Sequence, residues 1–176
     1  MRILLIGPQG SGKSTQGKLL SAKLKVPVIS TGEIFRKFKE EDSDEGRRIK
    51  KIYDRGKLID NETTVSLVKK RLAKDDCQNG YILDGYPRNM EQIRLFEPNF
   101  DKVIYLKISD EESISRLLKR GREDDTRELI TERLNIYHEQ TDPILDYYQR
   151  LGLLSIVDGS GEIGPIFENI RKATGG

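Results

Sequence analysis

GPQGSGKSTQ occupies residues 7–16, directly after the apolar run RILLI at 2–6. Gly7, Gly12, Lys13 and Ser14 satisfy the spacing G-x-x-x-x-G-K-[ST]. A strand-like run before it and a helix-like GKLLSAKL after it supply the context that this spacing needs. Glycines let the main chain curl until successive N–H groups point into one hollow. A helix that starts there aims the positive end of its dipole at the same point. Lys13 adds a mobile charge for β- and γ-phosphates, and a hydroxyl at Ser14 can ligate Mg²⁺. The backbone itself is therefore the expected binding site, for a nucleotide polyphosphate.

Beyond the loop, short β-branched apolar runs recur: VPVI at 26–29, YILD at 81–84, KVIYLKI at 102–108 and LLSIV at 153–157. Such nearly continuous runs suit strands buried on both faces. Helix-like stretches separate them. NETTVSLVKKRL at 61–72 has a cap-like Asn61, with Val65, Leu67, Val68 and Leu72 near one face. DEESISRLLKR opens at Asp110 with a capping-box pattern. A long helix is predicted over 126–149, kinked or broken by Pro143. Alternating strands and helices predict an α/β chain with a parallel sheet covered on both sides. Ligands of such sheets sit beyond the strands' carboxyl ends, where the strand order reverses. Arg36 to Lys57 and Lys119 to Glu132 are too polar for core and read as excursions from it.

The chain has 176 residues, enough for one domain with a sizeable core. Lys and Arg number 31 and Asp and Glu 29, so the net charge of +2 argues for neither a nucleic-acid nor a membrane-surface partner. Cys77 is the single cysteine. No internal disulfide and no Cys/His zinc cluster is expected. No signal pattern or apolar run of transmembrane length is apparent, so the expected location is the cytoplasm.

The glycine loop alone leaves the reaction open. A guanine reader of the N-K-x-D kind is missing; NFDK at 99–102 has the wrong order, and DGSG at 158–161 is a weak match to D-x-x-G. YILDGYPRNMEQ at 81–92 says more. Asp84, an acid ending a buried strand, can orient Mg²⁺ or its waters. Gly85 permits close approach. Arg88, after the rigid Pro87, can grip a phosphate with its fork of N–H groups. Gln92 offers the donor and acceptor that suit a purine edge.

GPQGSGKSTQ, ISTGEIFR (29–36), RGKLIDNETTVSLVKKRL (55–72) and YILDGYPRNMEQ, in this order and spacing, resemble the adenylate kinases, within the wider nucleoside monophosphate kinases. The likeness covers nearly the whole chain. It implies a P-loop NTPase fold with a five-stranded parallel sheet flanked by helices, and Mg²⁺-dependent, reversible transfer of the ATP γ-phosphate to AMP, giving two ADP. It also implies a core of residues 1–29, 60–118 and 134–176, a helical acceptor-binding insertion at 30–59 and a very short lid at 119–133. Gly10, Ser11, Gly12, Lys13, Ser14 and Thr15 would cradle the donor phosphates. Arg120 would lie on the donor adenine. Thr31, Gly32, Arg36, Ile59, Gly85, Arg88 and Gln92 would hold AMP. Lys13, Arg88, Arg122 and Arg133 would stabilise the transferring phosphoryl group, and Ser14 and Asp84 would serve the metal, partly through water.

Departures from the family pattern raise further expectations. Ser14 precedes Thr15 where Gly then Thr is usual, so either hydroxyl can face Mg²⁺. Tyr86 stands for the commoner Phe. Arg127 is a candidate substitute for a lid arginine. The lid has no cysteines, so no structural zinc is expected. His138 and Cys77 are read as structural. Asn89 is the one residue pointing to the alternative, a pyrimidine (UMP/CMP) monophosphate kinase; Thr31 and Gln92 point to AMP. A non-catalytic nucleotide switch leaves Arg36, Arg88 and Gln92 unexplained. Small relatives are commonly monomers, so a monomer is expected.

Overall fold

The computed structural model of the chain describes residues 1–40, 42–44, 46–47, 59–121 and 125–175. Five strands form one sheet: β1 (Arg2–Ile6), β2 (Val28–Ser30), β3 (Tyr81–Asp84), β4 (Lys102–Lys107) and β5 (Leu154–Asp158). The order is β2-β3-β1-β4-β5, and every pairing is parallel. β1 is central, and the chain leaves it first towards β2 and later towards β4. The order therefore reverses beside the carboxyl end of β1, where ligand crevices form in such sheets.

Seven α-helices connect and cover the strands among the described residues: α1 (Lys13–Leu24), α2 (Thr31–Glu40), α3 (Asn61–Leu72), α4 (Met90–Leu95), α5 (Asp110–Arg120), α6 (Arg127–Arg150) and α7 (Ile163–Ala173). The period-2 alternation of β1 sorts its side chains into two cores. Ile3 and Leu5 join Leu20 of α1 and Ile166 and Ile170 of α7. Leu4 and Ile6 join Ile34, Val65, Leu67, Val68, Ile93, Ile144 and Tyr148 on the opposite face. A third, small cluster of Leu117, Ile130 and Leu134 ties α5 to α6.

Two expectations change. Asn61 is not the cap of α3: Asp60 is, its carboxylate accepting from the Thr63 N–H at 2.8 Å. An aspartate one residue earlier competes well for this role. Pro143 does not break α6, which runs through it. The proline is exposed, while Ile144 and Tyr148 beside it are buried in the core, so packing outweighs the lost hydrogen bond. The described part of the stretch 119–132 packs in the small third cluster, apart from the two cores of the sheet. It ends α5 and begins α6, and its Ile130 is fully buried. Much of the other polar stretch, 36–57, lies outside the described residues, although α2 packs Ile34 and Phe35 on the core.

Among the described residues no helix is long and apolar enough to cross a membrane. Cys77 is buried and accepts a hydrogen bond from Arg71 Nη1 at 3.1 Å. Burial pushes its thiol up, opposed by the Arg71 charge, which keeps it the less reactive thiol. His138 Nε2 lies 2.9 Å from Asp110 Oδ1 and ties α6 to the start of α5.

Candidate active site

The glycine loop leaves β1 and enters α1 through Gly10 (φ +84°) and Gly12 (φ +90°), both in the left-handed region. Gly12 is the cap of α1, and no side chain closes that helix end; the first turn also lacks an acid. Its N–H groups and dipole are thus directed at the hollow rather than spent on a capping side chain. Lys13 Nζ donates to the carbonyls of Gly7 (2.6 Å) and Pro8 (2.9 Å) and lies 3.4 Å from Ser11 Oγ. Burial pushes the Lys13 ammonium below the usual lysine range; Asp84 opposes this and the Arg88 charge adds to it.

β3 is the neighbour of β1, so its end delivers the second half of the site to the same place. Ser14 Oγ lies 3.3 Å from Asp84 Oδ2. Thr31, the first residue of α2, donates from Oγ1 to the Gly85 carbonyl at 3.0 Å. Gly85 has φ +86°, and a Cβ there would come within 2.5 Å of Thr31 Oγ1. Gly85→Ala is therefore expected to destabilise the fold by about 2 kcal/mol, through left-handed strain and displacement of Thr31. A shift of the urea midpoint at unchanged slope measures it, and an unshifted midpoint contradicts it.

Arg88 is anchored to the same turn. Its Nε donates to the Gly85 carbonyl at 3.0 Å, and Nη2 lies 3.5 Å from Thr31 Oγ1. Its backbone N–H donates to Gln92 Oε1 at 2.8 Å. Tyr86, fully buried, bonds through its hydroxyl to the Phe96 carbonyl (2.6 Å) and the Gln92 carbonyl (3.0 Å). The tyrosine that replaces phenylalanine thus finds partners at the end of α4. Burial, reinforced by Glu97, pushes that hydroxyl above the usual tyrosine range.

The third wall comes from α5 and α6. Asp125, whose side chain has no exposed surface, takes a bidentate pair from Arg120: Nε at 2.9 Å and Nη2 at 2.7 Å. Arg133 Nη1 lies 3.8 Å from the same carboxylate. Burial of the carboxylate is tolerable because two guanidiniums share it.

These walls enclose a cleft of about 1090 Å³. That exceeds the roughly 300–1,000 Å³ typical of a pocket for one small molecule. Gly10, Gly12, Lys13, Ser14, Thr15, Thr31, Gly32, Ile59, Asp84, Gly85, Arg88, Gln92, Arg120 and Arg133 line it. Of the other expected residues, Ser11 is buried within the loop. Arg36 does not line the cleft; it is exposed, with Nη1 3.4 Å from where a side chain on Gly32 would begin. Arg122 lies outside the described residues, as does Asp124. Arg127 and His138 are not on the cleft wall.

One cation of the wall is missing from the sequence expectations. Arg116 donates from Nη1 to the Gly10 carbonyl (3.2 Å) and from Nη2 to the Gly159 carbonyl (2.9 Å), while pairing with Glu112. It braces the glycine loop against the turn after β5. Its spacing of four residues from Arg120 on one helix was the available signal. Asn61 and Asn89 also line the cleft. Among the described residues no three His, Cys, Asp or Glu side chains converge where they could hold a metal.

A phosphate-binding loop at the switch point of a five-stranded parallel sheet, facing a cleft ringed with guanidiniums, defines a P-loop phosphotransferase. The family model described as adenylate kinase matches residues 5–153. Proteins named adenylate kinase from Nocardia farcinica and from Mycobacterium sp. (strain MCS) are 40% and 41% identical over 182 residues, each alignment covering 99% of both chains. One from Bifidobacterium longum is 42% identical over 177 residues, covering 94% of this chain and 95% of the relative. The chain belongs to the adenylate kinase family.

Proposed function

We propose that the chain moves the γ-phosphoryl group of ATP to AMP, reversibly, giving two ADP. The observation that carries this reading is the convergence of Lys13, Arg88, Arg120 and Arg133, from three separate parts of the chain, on the one cleft beneath the glycine loop. Phosphoryl transfer needs positioning and charge neutralisation rather than covalent help, and cations around three equatorial oxygens supply both. In this reading Gly10, Ser11, Gly12, Lys13, Ser14 and Thr15 hold the donor phosphates and Arg120 its adenine. Thr31, Gly32, Arg36, Ile59, Gly85, Arg88 and Gln92 hold AMP. Lys13, Arg88, Arg122 and Arg133 neutralise the group in flight. Residues 30–59 form the acceptor-binding region and 119–133 the lid, which excludes water from the reacting phosphate.

Mg²⁺ fits this chain's residues. Ser14 Oγ and Asp84 Oδ2 place two hard oxygens side by side next to the loop. Mg²⁺ at nucleotide sites is held by few protein oxygens, with waters and phosphates completing its shell. Ser14 and Asp84 would hold it, partly through water, and the ion would neutralise charge on the β- and γ-oxygens. The 3.3 Å approach to Asp84 favours Ser14 over Thr15 as the facing hydroxyl. We place the protein in the cytoplasm as a monomer acting on free nucleotides.

The test is a coupled assay with ATP and each of AMP, GMP, CMP and UMP. AMP used far above the rest supports the reading; CMP or UMP preferred makes it a pyrimidine nucleotide kinase; no turnover overturns the enzyme. Gln92→Leu is expected to cut the preference for AMP by about tenfold or more, with a smaller change in kcat, since it removes a donor and an acceptor at once. An unchanged preference removes Gln92 from the site.

A further inference from the structure

We propose that Asn61 is a specificity-determining positioning residue, which locks the Gln92 amide in the orientation that takes a 6-amino purine and refuses a 6-oxo purine. This rests on the reading of Gln92 as the group that meets the acceptor base. Three side-chain amides meet in the cleft wall: Asn61 at the start of α3, Asn89 before α4 and Gln92 within α4.

The two ends of an amide have nearly the same shape. Its direction is set only by partners that cannot exchange roles. Each amide here has one. The Arg88 backbone N–H can only donate, and it meets Gln92 Oε1 at 2.8 Å. The Gln92 backbone N–H can only donate, and it meets Asn89 Oδ1 at 2.9 Å. The Glu91 carboxylate accepts from Asn61 Nδ2 at 2.6 Å. Asn61 must therefore turn Oδ1 inward. There it accepts from Gln92 Nε2 at 3.0 Å and from Asn89 Nδ2 at 3.1 Å.

Reversing Gln92 would set its carbonyl against Asn61 Oδ1 and its amino group against the Arg88 N–H. Two hydrogen bonds would become two repulsions, and Gln92 is only 4% exposed, so water cannot repair them. After its protein bonds the amide keeps one N–H and one lone pair. Adenine presents an acceptor at N1 beside a donor at N6 and matches that pair. Hypoxanthine and guanine present a donor at N1 beside an acceptor at O6 and need the amide reversed. The lock thus turns a two-way reader into a one-way reader.

Asn61 is the clean place to test this, because Asp60 caps α3 independently while Asn89 is itself the cap of α4. AMP and IMP are compared as acceptors at fixed ATP and Mg²⁺, with thermal melts to verify folding. In Asn61→Ala the AMP-to-IMP ratio of kcat/KM is expected to fall about tenfold, mainly through a lower KM for IMP, with kcat for AMP little changed. Asn61→Asp combined with Glu91→Gln keeps the accepting oxygen, exchanges donor and acceptor at the contact between residues 61 and 91, and is expected to hold the ratio within about threefold of wild type. Gln92→Leu is measured in parallel. A wild-type ratio in Asn61→Ala with a lost ratio in Gln92→Leu overturns the lock and leaves the reader standing. A ratio lost equally in Asn61→Ala and in the Asn61→Asp, Glu91→Gln pair also overturns it. A wild-type ratio in Gln92→Leu removes the reader, and the lock with it.

Discussion

Lys13→Met is expected to lower turnover by at least about 10³-fold, the scale seen when a preorganised cation or donor is removed from a charge-developing centre. Lys13 is seated inside the loop, bonded to the carbonyls of Gly7 and Pro8. From there its stem needs only a rotamer change to follow a phosphate. Methionine matches the stem in volume and carries no charge, and burial already disfavours the Lys13 ammonium. The fold should therefore survive, with a melting temperature within a few degrees of wild type. Single-turnover kinetics beside a thermal melt separate the two effects. Turnover above about a tenth of wild type in a folded variant would contradict the role given to Lys13.

Arg88→Lys is expected to lower kcat/KM for AMP by about 10²-fold or more, while the KM for ATP stays near wild type. The guanidinium is tied through Nε to the Gly85 carbonyl, which sets the plane of its fork in the cleft wall. An ammonium keeps the charge but has no fork, so it loses both that anchor and two-pronged contact with a phosphate. The asymmetry between the substrates is the diagnostic part. Equal losses for ATP and AMP would place Arg88 on the donor side or make it purely structural.

The parts of this protein that were legible in the residues share one property: they depend on neighbours along the chain. The glycine loop could be found because anion binding by main-chain N–H groups needs fixed spacing between Gly7, Gly12 and Lys13. Apolar runs locate the five strands within two residues of their observed bounds; burial on both faces holds for β1 and β3, while the edge strand β5 leaves Ile156 exposed. Pro143 misled because its penalty is local, whereas the packing of Ile144 and Tyr148 that outweighs it is not. Asp60 lost its place to Asn61 because both are good caps, and only the backbone path decides which one precedes the first turn.

Arg116 and Asn61 were missed for a different reason. Nothing near Arg116 in the chain announces that the carbonyls of Gly10 and Gly159 lie beside it. Likewise Asn61 gains meaning only from Gln92, which is 31 residues away. The motif of Arg36 puts it with the acceptor, and it stands one helical turn after the cleft-lining Gly32, its Nη1 3.4 Å from where a side chain on Gly32 would begin.

By itself, the order of residues determined the parallel α/β class, the phosphate loop and the family, since each is written in short-range spacing. Tertiary structure alone decided which hydroxyl faces Asp84, that two arginines share the buried Asp125, and how the Gln92 amide points. Those choices are made by partners far apart in the chain. Hydrogen bonds and desolvation act through space over a few ångströms, so only the folded arrangement of β1, β3 and the helices around them can set them.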